Sequence, residues 1–219
     1  MILALETATN VCSVALKDKN GVVDERRTEK RGTHSEQLFL YIKELQDEHS
    51  FQIKDLDVIL VSEGPGSYTG LRISASAVKG LLFDTGVPLI GINTLASFAM
   101  QVTEKNPQVN RIHSIIDARR VHVYHQQFLF ADGKLSTEDE VEVIPIEAFE
   151  KTLRKGDAVI GTGLDRIDQQ VLSRANTFGD DTITAKSLIA LYQGGFSAFY
   201  RQEDPESFEP KYYTSNQVE

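Results

Sequence analysis

Three glycines fall within the seven residues 64–70 of the run Gly64-Pro65-Gly66-Ser67-Tyr68-Thr69-Gly70-Leu71-Arg72. The apolar stretch Val58 to Val61 precedes the run and a helical pattern follows it, so one short segment must hold a buried strand, a tight turn and a helix start. Glycines let such a turn press against neighbouring backbone, and Ser67 or Thr69 can cap the first N–H groups of the helix. The geometry suits either an anion site or a turn that packs a helix on a sheet. No lysine follows Gly70, so the run is not a Gly-x-x-x-x-Gly-Lys-Ser/Thr loop and nothing is placed to reach a terminal phosphate.

The patterning elsewhere is mixed α/β. Ile2 to Leu5, Val11 to Leu16 and Val22 to Arg26 read as three strands, with Asn20-Gly21 as the hairpin turn between the last two. A second copy of this plan begins near Arg111: Ile112 to Ile116 leads to Asp117, Val121 to Phe130 is a long strand, and Asp132-Gly133 turns into Lys134 to Ile144. The acid-to-turn distance is 20 − 6 = 14 residues in the first copy and 132 − 117 = 15 in the second, which points to a duplicated lobe. Helices are expected over Thr33 to Glu48, Tyr68 to Phe83, Thr94 to Val102, Ile146 to Leu153, Asp165 to Arg174 and Ile183 to Tyr192.

The helix from Tyr68 is apolar on both sides. Leu71, Ala75, Val78 and Leu82 form one stripe, and Ile73, Ala77 and Leu81, flanked by Ser74 and Gly80, form another roughly opposite. The helix from Thr33 likewise carries Leu38, Tyr41, Ile42 and Leu45 on one arc, with Phe39 and Leu40 outside it. These two helices either pack on each other or build a subunit interface. Excess apolar surface favours the interface, with Phe39, Leu40, Tyr68, Ile73, Ser74, Ala77, Gly80 and Leu81 as its expected residues.

A chain of 219 residues, 41% hydrophobic, can bury a substantial core as one large domain or two lobes. Its formal charge of −9 argues against autonomous nucleic-acid binding, since phosphate contacts need clustered Lys and Arg. The single cysteine, Cys12, excludes an internal disulfide and suits a reducing compartment. Met1 leads straight into a strand pattern and no apolar run reaches about 18 residues, so neither export nor membrane insertion is expected and the cytoplasm is the expected location.

The glycine run, together with Ile2-Leu3-Ala4-Leu5-Glu6-Thr7, His34-Ser35-Glu36 and Asp117-Ala118-Arg119-Arg120, resembles the signature of the TsaB family, also called YeaZ. The likeness is good over the N-terminal two thirds and weak over the rest. It departs at His122, where a glutamate often stands, and near Thr214, where an arginine commonly closes the last segment. The resemblance implies the actin-like ATPase architecture of two duplicated lobes, here 1–103 and 104–219. It also implies a non-catalytic partner that binds and activates TsaD, its catalytic paralogue, in forming N6-threonylcarbamoyladenosine at position 37 of tRNAs that read codons beginning with A. Further implied partners are a TsaE-type ATPase in a larger complex and, when the protein is alone, a second copy bound through the same helices. With so acidic a chain, another subunit would hold the RNA.

The resemblance also bears on catalysis. TsaD holds a metal through a His-x-x-x-His pair, and in the matching stretch Thr94 and Phe98 stand at the two histidine positions, so no metal is expected there. The first turn of an actin-like ATPase offers an aspartate, glycine and small hydroxyls. Here Glu6-Thr7-Ala8-Thr9-Asn10 keeps the hydroxyls but lacks the glycine and has the longer acid. No intrinsic cofactor is therefore expected, and ATP or ADP would bind at the junction with TsaD, with Thr7, Thr9, Gly64, Gly66 and Ser67 as candidate contacts. The alternative reading is a stand-alone actin-like ATPase or phosphotransferase. Three further expectations concern side chains read from pattern alone: His113, His122 and His125 as isolated surface histidines, Ser35 as a helix N-cap with Glu36 in the first turn, and Arg119 and Arg120 as solvated or salt-bridged.

Overall fold

In the computed structural model, which describes residues 1–137 and 139–214, the N-terminal apolar runs form an antiparallel meander of β1 (Ile2–Glu6), β2 (Val11–Lys17) and β3 (Val23–Glu29). β1 also pairs in parallel with β4 (Val58–Gly64), and β4 with β5 (Leu89–Asn93). Every residue of β4 is buried, as a central parallel strand covered on both faces must be. A late strand, Tyr200–Glu203, closes the free edge beside β5 antiparallel. At the other edge β3 reads Val-Asp-Glu-Arg-Arg-Thr-Glu, and its charges keep that open ladder from pairing with another chain.

Two helices cover one face of this sheet: α1 (His34–His49) and α2 (Tyr68–Leu82). Leu38, Ile42 and Leu45 of α1 and Ala75, Val78 and Leu82 of α2 pack with Leu3, Leu5, Val14, Ile59 and Val61 from the strands. A helix near the C-terminus, Lys186–Gln193, contacts β1, β2 and β4, and just before it the Ala185 N–H donates to Ser13 Oγ at 2.8 Å. Ser13 alternates with Cys12 and Val14, which face α1 and α2, so this last helix lies on the opposite face.

After α3 (Thr94–Lys105), a second sheet repeats the plan. β6 (Arg111–Asp117), β7 (His122–Ala131) and β8 (Lys134–Ser136) form a meander, while β9 (Glu142–Pro145) adds to the free side of β7. α4 (Ile146–Thr152) follows, then β10 (Ala158–Gly161), α5 (Gln169–Leu172) and β11 (Asn176–Phe178), with β10 parallel to both β6 and β11. Continuing in chain order, the late helix is α6 and the strand Tyr200–Glu203 is β12. The sheet orders β3-β2-β1-β4-β5 and β8-β7-β6-β10-β11 match strand for strand. The duplicated, actin-like architecture expected from the resemblance is the one the chain has.

Three details differ from the sequence expectation. Lys134 to Ile144 is two short strands rather than one, and the helix expected from Asp165 is a 3-10 turn at Leu164–Arg166 followed by α5, whose first turn the Asp168 carboxylate caps through the Gln170 N–H at 2.7 Å. The late helix starts at Lys186, three residues after Ile183. The chain also divides unlike two consecutive stretches at 103/104: one unit is Met1–Thr94 with Thr184–Lys211, and the other is Leu95–Ile183 with the stretch from Tyr212 on. The returning segment supplies α6, β12 and Phe208, which is 2% exposed in the core beneath α1 and α2.

Because Phe208 reaches that core from the far end of the sequence, Phe208→Ala should destabilise the first unit by about 3 to 5 kcal/mol. Calorimetry should then show the melting temperature lowered by roughly 10 °C. A shift of no more than a degree or two would mean that the returning segment is not integral to the unit.

Candidate functional site

The β1–β2 turn and the glycine run after β4 are locked together backbone to backbone. Ser67 N–H donates to Ala8 O at 2.7 Å, and the Thr7 hydroxyl donates to Gly70 O at 2.9 Å. A Cβ on Gly70 would lie 2.0 Å from Thr7 O, and one on Gly66 would lie 2.5 Å from Ala8 O. Gly64 has φ +117° and faces Lys211 O, 2.4 Å from where its own Cβ would stand. Close approach of one backbone to another requires glycine at these three positions. Ser67 caps α2 as expected, its Oγ accepting from Gly70 N–H at 3.3 Å. Thr9 Oγ1 accepts from Val11 N–H at 3.1 Å, so Thr7 and Ser67 are tied across the turn through Gly70 and Ala8, while the Thr9 hydroxyl is used within the turn itself.

Glu6 ends β1 beneath this turn, fully buried. Its Oε1 accepts from Ala8 N–H at 2.7 Å, and its Oε2 accepts from the Ser62 hydroxyl. Burial pushes the carboxyl up to about 7, against the opposing pull of those two hydrogen bonds. Burial and then the nearby Glu6 charge push the Cys12 thiol up to about 12, which leaves it inert as a nucleophile. Next along β4, Glu63 is 3% exposed, accepts from Lys211 Nζ at 2.6 Å and lies 3.7 Å from Arg201 Nε, while its carbonyl accepts from Lys211 N–H at 2.7 Å. Both basic residues come from the returning segment.

α1 begins at His34, not at a capping Ser35. Thr33 is the N-cap residue without a side-chain cap bond, Ser35 is exposed, and Glu36 does stand in the first turn. His34 is 7% exposed, and its Nε2 lies 3.0 Å from Thr9 O and 3.2 Å from Val11 O. Two carbonyls can only accept, so Nε2 carries the proton and the ring ties α1 to the β1–β2 turn. Thr94 is fully buried and its Oγ1 accepts from Gly64 N–H at 3.1 Å; Phe98 is fully buried. A hydroxyl already used by backbone and a phenyl ring leave no ligand pair at those two positions.

On the outer side of α1 and α2 lies a groove of about 450 Å³ lined by Ser35, Phe39, Tyr68, Thr69, Arg72, Ile73, Ser76 and Ala77. Phe39 is 50% exposed, Leu40 47% and Tyr68 56%, and the Arg72 guanidinium stacks over the Tyr68 ring at 4.5 Å. Of the eight residues expected on this face, Phe39, Leu40, Tyr68 and Gly80 are exposed, and Ile73 and Leu81 are half-buried. Ser74 and Ala77 are instead buried within the chain, Ser74 donating to Leu71 O at 3.0 Å and Ala77 belonging to the core. The inner part of the second stripe packs intramolecularly, as one of the two explanations for the double-sided apolar helix requires, and the outer part faces solvent. A position the stripe did not single out, Phe83, is 76% exposed at the end of α2.

The histidines of the second unit correct the expectation of isolated surface rings. His113 is fully buried and His125 is 7% exposed, with Nδ1 of the first 3.0 Å from Nε2 of the second. His122, of opposite parity to His125, is half-buried. Parity along one strand cannot reveal this contact; pairing with a histidine on the adjacent strand needs the β6–β7 register, which sequence alone does not give. Arg119 and Arg120 are exposed, with φ +69° and +50° in the β6–β7 turn, and the neighbouring Asp117 pairs with Arg166. In the first unit Asp24, Glu48 and His49 bring ligand-type atoms within 4.8 Å of one another, unforeseen from sequence. Arg26 ion-pairs with Asp24 at 2.9 Å, with Glu44 at 3.4 Å and with Glu48, so a guanidinium already supplies the cation.

Glu6 yields a signed prediction. A folded value of about 7 above an ordinary 4.5 means that folding takes up a proton, so this contribution to stability is full below about pH 4.5 and is lost as pH rises through 7. Glu6→Gln keeps an acceptor for Ala8 and gives Ser62 a donor partner, without ionising. Its melting temperature should exceed that of the parent by several degrees at pH 8.5 and by little at pH 5.5; equal advantages at both would show that Glu6 does not titrate with folding.

Residues 8–170 match the family model described as TsaD: tRNA N6-adenosine threonylcarbamoyltransferase. The chain is 28% identical, over 79% of its length and 80% of the relative's, to the tRNA threonylcarbamoyladenosine biosynthesis protein TsaB of Buchnera aphidicola subsp. Baizongia pistaciae. It is 29% identical to the protein of the same description from Escherichia coli, over 65% of this chain and 61% of that one. Among solved structures, YeaZ from Pseudomonas aeruginosa superposes with a TM-score of 0.78 at 25% identity, covering 97% of this chain and 99% of the other. The motif, the duplicated lobes and these likenesses together make the chain a member of the TsaD family of tRNA N6-adenosine threonylcarbamoyltransferases, within its TsaB (YeaZ) branch.

Proposed function

We propose that this chain is the non-catalytic subunit that binds and activates a TsaD-type transferase in the formation of N6-threonylcarbamoyladenosine at position 37 of tRNA. The observation that carries the reading is the apolar groove on α1 and α2, with Phe39, Leu40 and Tyr68 about half exposed around it. A continuous apolar surface flanked by polar residues is the form of a protein-binding site. Two features agree with a supporting role. The Thr7 hydroxyl and the Ala8 carbonyl of the first turn are bonded to the glycine run, and Thr94 and Phe98 stand where the transferase has its metal-binding histidines. Activation then works by population shift: binding energy that favours the competent transferase conformation by a few kcal/mol changes its occupancy many-fold.

The same reading extends to a homodimer through these helices when the protein is alone, to a TsaE-type ATPase in a larger complex, and to ATP or ADP held only at the junction with TsaD. No described helix is long and apolar enough to cross a membrane, and the work proposed is cytoplasmic. The charge of −9 assigns the tRNA to the partner.

The test is size-exclusion chromatography with light scattering on this protein, on the TsaD of the same source, and on their mixture. Phe39→Glu combined with Tyr68→Glu should leave the melting temperature within a few degrees of the parent and weaken heterodimer formation at least a hundredfold. Ala77→Arg would be a poor probe, since Ala77 lies in the core. Two unchanged peaks with the parent protein would reject the partnership, and nucleotide hydrolysis by the isolated chain would favour the stand-alone ATPase instead.

A further inference from the structure

The second unit holds a buried polar chain that the proposed partnership does not use. Asp157 accepts two hydrogen bonds from Arg111, Nε to Oδ1 at 2.9 Å and Nη2 to Oδ2 at 2.6 Å, and a third from Arg154 N–H at 2.7 Å. These bonds hold its carboxyl below the usual range although its burial works the other way. His113 Nε2 lies 3.2 Å from Asp157 Oδ2, and His113 Nδ1 lies 3.0 Å from His125 Nε2. An ionised carboxylate only accepts, so His113 Nε2 carries a proton, His113 Nδ1 is the acceptor, and His125 Nε2 must be the next donor. The hydrogen bonds thus run one way, from His125 through His113 to Asp157, with both rings neutral.

The rings stack at 5.3 Å and 17°, and Phe149 of α4 packs on both, its ring 5.9 Å from His113 and 5.3 Å from His125. β9, which leads directly into α4, pairs with β7 so that Glu142 lies opposite His125. One proton fits between the rings: if His113 Nδ1 were also protonated, His125 would have to carry its own proton on Nδ1 and turn from donor to acceptor across the 3.0 Å contact. A charge on His125 would be buried beside Phe149, with Arg111 already neutralising Asp157. Burial pushes His113 down to about 4, against the pull of Asp157, and burial followed by the His113 charge pushes His125 down to about 3. The other charged groups facing the pair are Asp139, which acts on His113, and Glu142, whose side chain is exposed.

We propose that the Arg111–Asp157–His113–His125 chain is a proton-sensitive latch that keeps β9 and α4 seated on the second sheet and releases them on acidification. Both folded values lie below the ordinary 6.5, so the unfolded segment binds protons that the folded one refuses. Stability from the latch is full above about pH 6.5 and is lost as pH falls toward 4. This is opposite in sign to the response of Glu6 in the first unit.

Hydrogen exchange on the full chain, corrected for the intrinsic pH dependence of the rate, tests the latch. Amides of 142–152 should lose protection at least tenfold between pH 7 and pH 5, while those of β1 and β4 keep theirs. His125→Gln, which still donates to His113 but cannot be protonated, should cut that acceleration at least severalfold and leave the share due to His113. Unchanged protection in the parent, or equal acceleration in a folded His125→Gln, would overturn the proposal. Should the variant not fold, imidazole nitrogen NMR of the parent decides. Nε2-protonated tautomers at pH 7, with titration coincident with the loss of protection, support the latch, whereas rings titrating freely near 6.5 reject it.

Discussion

The first unit depends on the contact of two backbones: the carbonyls of Thr7 and Ala8 lie where Gly70 and Gly66 would carry side chains. That closeness is available only to glycine, and it fixes the start of α2 against the end of β1. From there the order follows. Ser67 caps the helix, α2 lies across β1 and β4, and His34 ties the neighbouring helix to the same turn. The outward faces of both helices, and so the groove between Phe39 and Tyr68, inherit their positions from one tightly packed turn. In a phosphate-binding protein such a loop keeps its N–H groups for a ligand. Here Ser67 N–H goes to Ala8 O and Gly70 N–H to Ser67, so the motif acts as a joint.

Buried charge is handled differently in the two units. Glu6 is kept by hydrogen bonds from a backbone N–H and a hydroxyl, and its burial favours the neutral acid. Glu63, one position beyond Ser62, is compensated by Lys211 and Arg201. In the second unit Asp157 remains charged because Arg111 meets it with two parallel N–H bonds, the strongest geometry available to a carboxylate. It is this fixed charge that orients the histidines. Buried as they are, they are governed by their neighbours' donors and acceptors.

Much of the fold was legible because it is written locally. The meanders follow alternation and Asn20-Gly21 or Asp132-Gly133 turns, and α1 and α2 follow long apolar periodicities that the structure reproduces to within a residue or so. What escaped was short or non-local. β10 is four buried apolar residues, Ala158–Gly161, too brief to show a period, and β12 is an edge strand whose Tyr-Arg-Gln-Glu offers no apolar alternation. The capping role assigned to Ser35 failed because His34 finds carbonyls of the distant β1–β2 turn, a tertiary bond no local rule anticipates. The burial of Ser74 and Ala77, expected at an interface, has a related cause. A helical wheel gives the face but not its depth, and α1 covers part of what the wheel leaves open.

The return of Thr184–Lys211 to the first unit has a consequence for the order in which the protein is made. A ribosome releases the chain from its N-terminus at roughly 5 to 20 residues per second. By the time residue 183 emerges, the stretch containing both histidines, Arg111 and Asp157 is complete. The older N-terminal half still lacks α6, β12, Phe208 and the lysine that meets Glu63. The first-synthesised half is therefore the last to close. Until Phe208 and Lys211 have left the exit tunnel, the apolar core beneath α1 and α2 lacks its last aromatic ring and Glu63 its lysine, and a chain stopped before Tyr200 would leave β5 without its antiparallel neighbour.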